Sequence, residues 1–398
     1  MTVTMLPDAP WRHREELDTL IAALGDTTRY VGGAVRDGLL AVPVSDIDMA
    51  TRLLPEQVIA RLEAAGIKAV PTGIAHGTIT AVTAGGPVQI TTLRRDVATD
   101  GRHATVAYTD DWQEDAARRD FTINALSADL RTGAVQDWFG GLGDLEAGVV
   151  RFIGEPRARI AEDHLRILRF FRFHARFGRG APDAAAYDAC AARANDLMAL
   201  SRERIADELL KLLATATPAA AITLMLARGI LRPVLPEITD ARGLARLVER
   251  EADAGVAGDT VRRLAALIGP DAAVAEAIAL RLRLSKAKAR RLVAACTVGE
   301  VEPVAALAYR LGVQGAEDRL LIGDGPTTAL AELAAWKAPV LPMSGGALIE
   351  RGIASGPEVS RTLAEIEEAW IVAGFPTGAT FAALVERVLA SRASRART

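Results

Sequence analysis

The chain has 398 residues, half of them hydrophobic and 24% charged, which suits about two or three domains with substantial cores. Its 47 basic and 50 acidic residues give a formal net charge of -3, which excludes a generally basic nucleic-acid coat but leaves room for a local basic groove. Only Cys190 and Cys296 are available for sulfur chemistry and no histidine follows His174, which excludes a disulfide framework, a cysteine-built zinc site and a histidine-rich metal domain in the second half. Residues 1–16 carry Pro, Asp and charge where a signal peptide needs an apolar stretch. No apolar run approaches the roughly 20 residues needed to span a bilayer, so a soluble, cytoplasmic protein without a membrane partner is expected.

In chain order, a helix over about 12–24 leads to an extended segment at 29–31, then Gly32-Gly33 and a short helix to 40. Residues 46–51 read as a strand and 55–65 as a helix with Pro55 in its first turn. Segments 77–84 and 88–94 read as a hairpin about Gly85-Gly86-Pro87. Residues 95–111 are polar and turn-rich and read as a long functional loop; a helix over 112–130 and a short strand near 135–138 follow. After Pro156 strand patterns nearly vanish, and helices are expected at 157–178, 202–214, 217–228, 240–250, 258–268 and 271–296, then onward to a frayed end at 391–398. The fold class is an α+β head followed by an all-α remainder, divided at about 1–150, 151–235, 236–323 and 324–398.

Three constellations carry chemistry. In Tyr30-Val-Gly-Gly-Ala-Val-Arg-Asp37 a strand ends in Gly32-Gly33 before a helix, so bare backbone N–H groups meet an anion, with Arg36 one turn in. Nine residues later, Asp46 and Asp48 fall on one face of a strand, roughly 6–7 Å apart, as hard ligands for Mg²⁺ that leave room for phosphates. Gly-Gly alone is an ordinary turn and Asp-x-Asp an ordinary strand end; together at this spacing they point to nucleotidyl transfer.

Next, Asp115-Ala-Ala-Arg-Arg-Asp120 offers Arg118 and Arg119 to a triphosphate and Asp120 to a ribose hydroxyl, or else forms a capped helix start with exposed arginines. Third, Arg166, Arg169, Arg172 and Arg176 fall within one arc of about 120° at 100° per residue, opposite Ile167, Leu168, Phe170 and Phe171. From Arg151 to Gly180 eight arginines face three acids. With no lysine to make the usual i,i+4 pairs, this favours a planar anionic ligand over a solvated face.

These residues, with Glu162-Asp-His-Leu-Arg166 and Arg118-Arg-Asp-Phe-Thr-Ile-Asn-Ala125, resemble in order and spacing the class II CCA-adding tRNA nucleotidyltransferase and bacterial poly(A) polymerase family. Asp137-Trp-Phe-Gly-Gly-Leu-Gly-Asp144 and the stretch 344–357 are similar to the family's hinge and tail. The resemblance implies a polymerase-β-like mixed sheet in a nucleotidyltransferase head, then helical neck, body and tail that hold the tRNA acceptor end. It implies Mg²⁺ on Asp46 and Asp48, nucleotide contacts from Gly33, Arg36 and Arg119, and CTP and ATP as substrates; Gly32, Arg118 and Asp120 join these as nucleotide-binding candidates from their own motifs. Asp163 and Arg166 would read the incoming base, with Arg169 and Arg172 on the nucleotide. Gln89 stands where members carry a third carboxylate, for which a neighbour such as Asp96 could substitute. Complete CCA addition is favoured because residues 96–106 keep a loop of family appearance; A-only addition, poly(A) synthesis and a non-catalytic RNA-binding relative are the alternatives. Arg281, Arg283, Lys286, Lys288, Arg290 and Arg291, six cations without an acid, are candidates for a tRNA backbone or for a solvated helix surface.

Overall fold

The computed structural model describes residues 3–100, 103–298, 302–323, 325–326 and 328–395, with the side chains of 75, 96–100, 103–106, 394 and 395 excepted. The chain divides into two compact units, Met1–Thr239 and Asp240–Thr398.

The first unit opens with α1 (Glu15–Leu24), β1 (Thr28–Val31), α2 (Gly33–Leu39), β2 (Ile47–Thr51) and α3 (Pro55–Ala64). Then come β3 (Lys68–Gly73), β4 (Thr78–Thr83), β5 (Gly86–Thr92), β6 (Arg94–Asp100) and β7 (His103–Tyr108). A seven-stranded sheet has the order β3-β4-β5-β2-β1, continued by β8 (Ser127–Asp129) and β9 (Val135–Gln136). Only β2 and β5 run parallel within it, so the sheet is mixed. Leu17, Leu20 and Leu24 of α1 and Val58 and Leu62 of α3 are buried, and α3 packs against β3, β4 and β5.

Two expectations fail here. The polar segment after residue 94 is not a loop: β6 and β7 pair as a separate hairpin with an irregularity between Asp96 and Ala98. The backbone of these two segments finds ladder partners in each other that local polarity does not reveal. The helix expected over 112–130 stops early. Here α4 (Trp112–Ala117), capped by Asp111 accepting from the Gln113 N–H, gives way to a 3₁₀ turn at Thr122–Asn124 and then to β8. Phe121 packs against Phe152 and Phe173, and the Thr122 N–H donates to the Arg151 carbonyl, so tertiary contacts outweigh local helix preference.

After α5 (Gly141–Ala147) the first unit becomes helical: α6 (Pro156–Glu162), α7 (Arg166–Phe177), α8 (Ala184–Ala192), α9 (Arg202–Leu213) and α10 (Pro218–Ala227). Glu155 caps α6 by accepting from the Arg157 and Ala158 N–H groups, and Pro156 fills its first position. The single helix expected over 157–178 is therefore two, broken where Asp163 is extended (φ -151°, ψ 106°).

The second unit is helical throughout its described residues: α11 (Arg242–Asp253), α12 (Thr260–Ile268), α13 (Ala272–Arg281), α14 (Lys286–Cys296) and α15 (Val304–Ile322). It ends with α16 (Ala329–Ala335), α17 (Gly345–Glu350), α18 (Pro357–Val372) and α19 (Gly378–Arg395). The helix expected over 271–296 is interrupted by a turn through Arg283, whose φ is +50°. At the end, helix persists to Arg395 instead of fraying from 391; residues 396–398 lie outside the described ones.

Candidate active site

The site is built where the sheet of the first unit meets α7 and α9. β1 delivers the chain to Gly32, whose φ of +64° suits only glycine, and a Cβ there would lie 2.9 Å from the Arg119 guanidinium. One turn into α2, Arg36 is buried. Its Nε donates to Asp37 Oδ1 at 2.8 Å, its Nη1 donates to Asn124 Oδ1, and its guanidinium lies 4.2 Å from the Phe177 ring centre and 5.3 Å from that of Phe173. Arg176 of α7 donates to the other Asp37 oxygen at 3.0 Å, which ties α2 to the end of α7.

Asp46 lies just before β2, exposed, accepting a bond from Ser45 Oγ at 3.0 Å. Asp48 lies on β2, half-buried, opposite Gln89 in the parallel β2–β5 register, so the amide and both aspartates line one cavity. Burial pushes the Asp48 carboxyl up, Arg119 opposes that, and Asp46 adds to it. Among the described residues no group donates a hydrogen bond to Asp48, which leaves it available to a cation. The side chain of Asp96, the suggested substitute for a third carboxylate, lies outside the described residues, as do Gly101 and Arg102 of the 96–106 segment.

The turn after α4 separates neighbours that the sequence placed together. Arg119 reaches the cavity, its Nη1 donating to the Asn124 carbonyl at 3.4 Å. Arg118 does not: its Nε donates to the buried Asp115 at 2.8 Å, and it is absent from the cavity wall. Asp120 borders the cavity, yet its oxygens already accept from Arg169 Nε at 2.8 Å and from Asn124 Nδ2 and the Phe121 N–H, each at 2.9 Å. Burial works to raise its pKa, but these donors hold it below the usual aspartate value. Its place is thus to orient Arg169 and Asn124, in contrast to the free ribose acceptor expected from sequence.

The break before α7 turns Asp163 toward the cavity, where its Oδ1 accepts from the Leu165 N–H at 3.1 Å and its Oδ2 from Arg204 at 2.8 Å. Arg166 donates to Glu162 and to the Arg159 carbonyl. Further along, Glu208 of α9, only 4% exposed, accepts from Arg172 at 2.6 Å and pairs with Arg169 at 3.7 Å. The cavity encloses about 890 Å³ and gathers Gly32, Gly33, Arg36, Asp46, Asp48 and Arg119 with Asp120, Asp163, Arg166, Arg169 and Arg172. Sequence reasoning missed Asn124, Phe173, Arg204, Glu208 and Lys211. For α9 the signal exists: Arg204, Glu208 and Lys211 fall within about 60° at 100° per residue.

Of the candidate RNA cations, Lys286, Lys288 and Arg290 are exposed on α14, Arg283 is exposed in the preceding turn, and Arg281 is half-buried. Arg291 is a correction: its Nε donates to the buried Asp318 at 2.6 Å and its Nη1 to Asp259 at 2.9 Å, so it holds the helices of the second unit together.

Residues 28–151 match the poly A polymerase head domain, and residues 182–242 match the family described as "Probable RNA and SrmB- binding site of polymerase A". The mitochondrial CCA tRNA nucleotidyltransferase 1 of Mus musculus is 35% identical over 382 residues, covering 91% of this chain and 86% of that protein. Its Homo sapiens counterpart is 36% identical over 368 residues, covering 87% and 83%. The Bacillus stearothermophilus CCA-adding enzyme in complex with CTP superposes with a TM-score of 0.75 at 24% identity, covering 97% of this chain and all of that one. The Thermotoga maritima CCA-adding enzyme complexed with tRNA gives 0.64 at 21% identity, covering 96% of each. None of the described helices is long and apolar enough to cross a membrane. With a mixed-sheet head, a long helical remainder and relatives at this identity over most of both chains, the protein belongs to the class II CCA-adding tRNA nucleotidyltransferase and poly(A) polymerase family.

Proposed function

We propose that the protein adds C, C and A to the 3′ end of tRNA from CTP and ATP, releasing pyrophosphate, with Mg²⁺ as its metal. One observation carries the reading: paired aspartates, a glycine turn and an Asp–Arg pair share one cavity. Asp46 and Asp48 supply hard oxygens on one side of it, and the unpartnered Asp48 carboxylate suits Mg²⁺, which would stabilise charge on the reacting phosphate when bound. Gln89 adds a neutral amide oxygen beside them.

The base is selected by this chain's own side chains. Asp163, held by Arg204, accepts from the exocyclic amino group that C and A share, and Arg166, held by Glu162, donates to the ring acceptor beside it. G and U present the opposite pattern and would leave buried groups unpaired, at about 1–3 kcal/mol each. Arg119, Arg169 and Arg172 offset the triphosphate charge. Head, neck, body and tail at 1–150, 151–235, 236–323 and 324–398 would divide the work into chemistry, nucleotide selection and holding the acceptor arm. Two buried free thiols suit a reducing, cytoplasmic setting.

The test is incorporation on three tRNAs ending before CCA, after C and after CC, with Mg²⁺ and CTP, ATP or both, and sequenced products. Completion to CCA on all three is expected. Extension of the CC-ended tRNA alone would replace the reading with A-only addition, long A tails with a poly(A) polymerase, and tRNA binding without extension with a silent relative. Asp163→Ala is expected to lose C/A selectivity against U/G more than triphosphate affinity; unchanged selectivity would refute its role.

A further inference from the structure

We infer that Lys211 forms a terminal-phosphate subsite of the nucleotide cavity, where its ammonium leaves Asp207 to meet the polyphosphate end of the incoming triphosphate. The inference rests on the nucleotide reading above. Helices α7 and α9 run in the same direction. Asp163, just before α7, pairs with Arg204, whereas Arg169 and Arg172 pair with Glu208, so the contacts advance together along both helices. Lys211 lies one turn beyond Glu208, beside the last turns of α7, and lines the cavity with Phe173.

Two ends of the cavity follow. The base-reading Asp163 and Arg166 stand at the start of α7. The glycine turn and Arg36 stand at its other end, since the Arg36 guanidinium lies over Phe173 and Phe177, and Asp37 pairs with Arg176. A nucleotide with its base at Asp163 and its phosphates toward Gly32, Gly33 and Arg36 directs its terminal phosphate along the line that leads to Lys211.

The partners of these cations separate Lys211 from the arginines. Arg36, Arg169 and Arg172 are tied to buried carboxylates, with Asp37 12%, Asp120 8% and Glu208 4% exposed. Lys211 donates instead to Asp207 at 2.6 Å, an i,i+4 pair on its own helix with side chains 54% and 62% exposed. Such a surface pair contributes little and is readily exchanged for a phosphate carrying more than one negative charge. A lysine, with a compact ammonium on a flexible stem, can follow that phosphate as pyrophosphate leaves; the anchored arginines cannot.

The test is equilibrium binding of CTP, CDP and CMP with Mg²⁺ to the full chain, comparing wild type with Lys211→Met and Lys211→Arg. Lys211→Met is expected to weaken CTP about fivefold to tenfold, as for a lost charge-assisted contact, to leave CMP unchanged, and to be largely rescued by Lys211→Arg. Wild-type binding of CTP with no loss in Lys211→Met, or equal losses for CTP and CMP, would overturn the subsite alone. So would a loss confined to tRNA binding, which would place Lys211 on the RNA. Wild-type protein that binds none of the three nucleotides would overturn the nucleotide reading and the subsite with it.

Discussion

Arginine–carboxylate networks occur in both units, and they are put to different uses. In the first unit, Arg36, Arg169 and Arg172 are each tied on one side and line an open cavity on the other. In the second, Arg262 and Glu251 are 1% and 2% exposed and 2.9 Å apart, and Arg263 donates to the other Glu251 oxygen at 2.8 Å. Arg262 also reaches Glu317, while Arg291 bridges Asp318 and Asp259. That network joins α11, α12, α14 and α15 and faces itself. A charge held by its neighbours but turned to a cavity can bind substrate; one enclosed by counter-charges can only fix packing.

The largest effects separate these uses. Asp46→Asn, at an exposed position, should reduce nucleotidyl transfer by more than about a thousandfold, the loss of several kcal/mol of charge stabilisation, without changing the urea midpoint. Normal turnover by that variant would remove the chemistry from the aspartate pair. Arg262→Met should do the reverse. It leaves the buried Glu251 with Arg263 as its remaining charge partner beside the Asp259 N–H, so a loss of about 3–5 kcal/mol is expected in urea unfolding, with CTP affinity unchanged under native conditions. If stability hardly moved while nucleotide binding collapsed, the contrast between the two networks would fail.

A pH series sharpens the same contrast within the first unit. Arg169, Asn124 and the Phe121 N–H together outweigh burial and hold Asp120 below the ordinary value of 3.8. A carboxylate lowered on folding adds stability that is fully present above that value and disappears as pH falls through the lower, folded one. Asp120→Asn should therefore be less stable than wild type at neutral pH, and the difference should close only below about pH 4. A gap that stays constant through the acid range would mean that packing, not charge, accounts for Asp120.

How much of this was legible in the sequence differs by element. The strand before Gly32, the strand that carries Asp48 and the helical remainder follow from glycine punctuation, alternation and 3.6-residue periodicity, and all three appear, although β2 begins at Ile47 and leaves Asp46 just outside it. The break at Asp163 and the strand β8 were not legible. Both depend on partners distant in sequence: Arg204 on α9 for Asp163, and β1 and the Arg151 carbonyl for the segment after α4. The same cause misplaced single arginines. Arg118 and Arg119 are equivalent in sequence and both reach Asp115, yet only Arg119 also lines the cavity, and Arg290 and Arg291 divide between solvent and Asp318. Charge type is written in the sequence, whereas the identity of its counter-charge is settled by packing.

That division yields the smallest prediction, on α14. If the exposed face meets tRNA phosphates, Lys286→Ala, Lys288→Ala and Arg290→Ala should each lower the slope of log affinity against log salt by about one and weaken tRNA binding a few-fold near 0.15 M salt. None should alter the urea midpoint. Arg291→Ala, one residue further on, should leave the salt slope unchanged but cost about 2–3 kcal/mol by leaving the fully buried Asp318 carboxylate with only Arg262, 3.6 Å away, as its charge partner. The adjacent pair therefore tests the contrast at its finest grain: one arginine read out by salt and RNA, its neighbour by denaturant. A slope change at Arg291 with none at Lys286, Lys288 or Arg290 would move the RNA contact off this face and leave these exposed cations as a solvated helix surface.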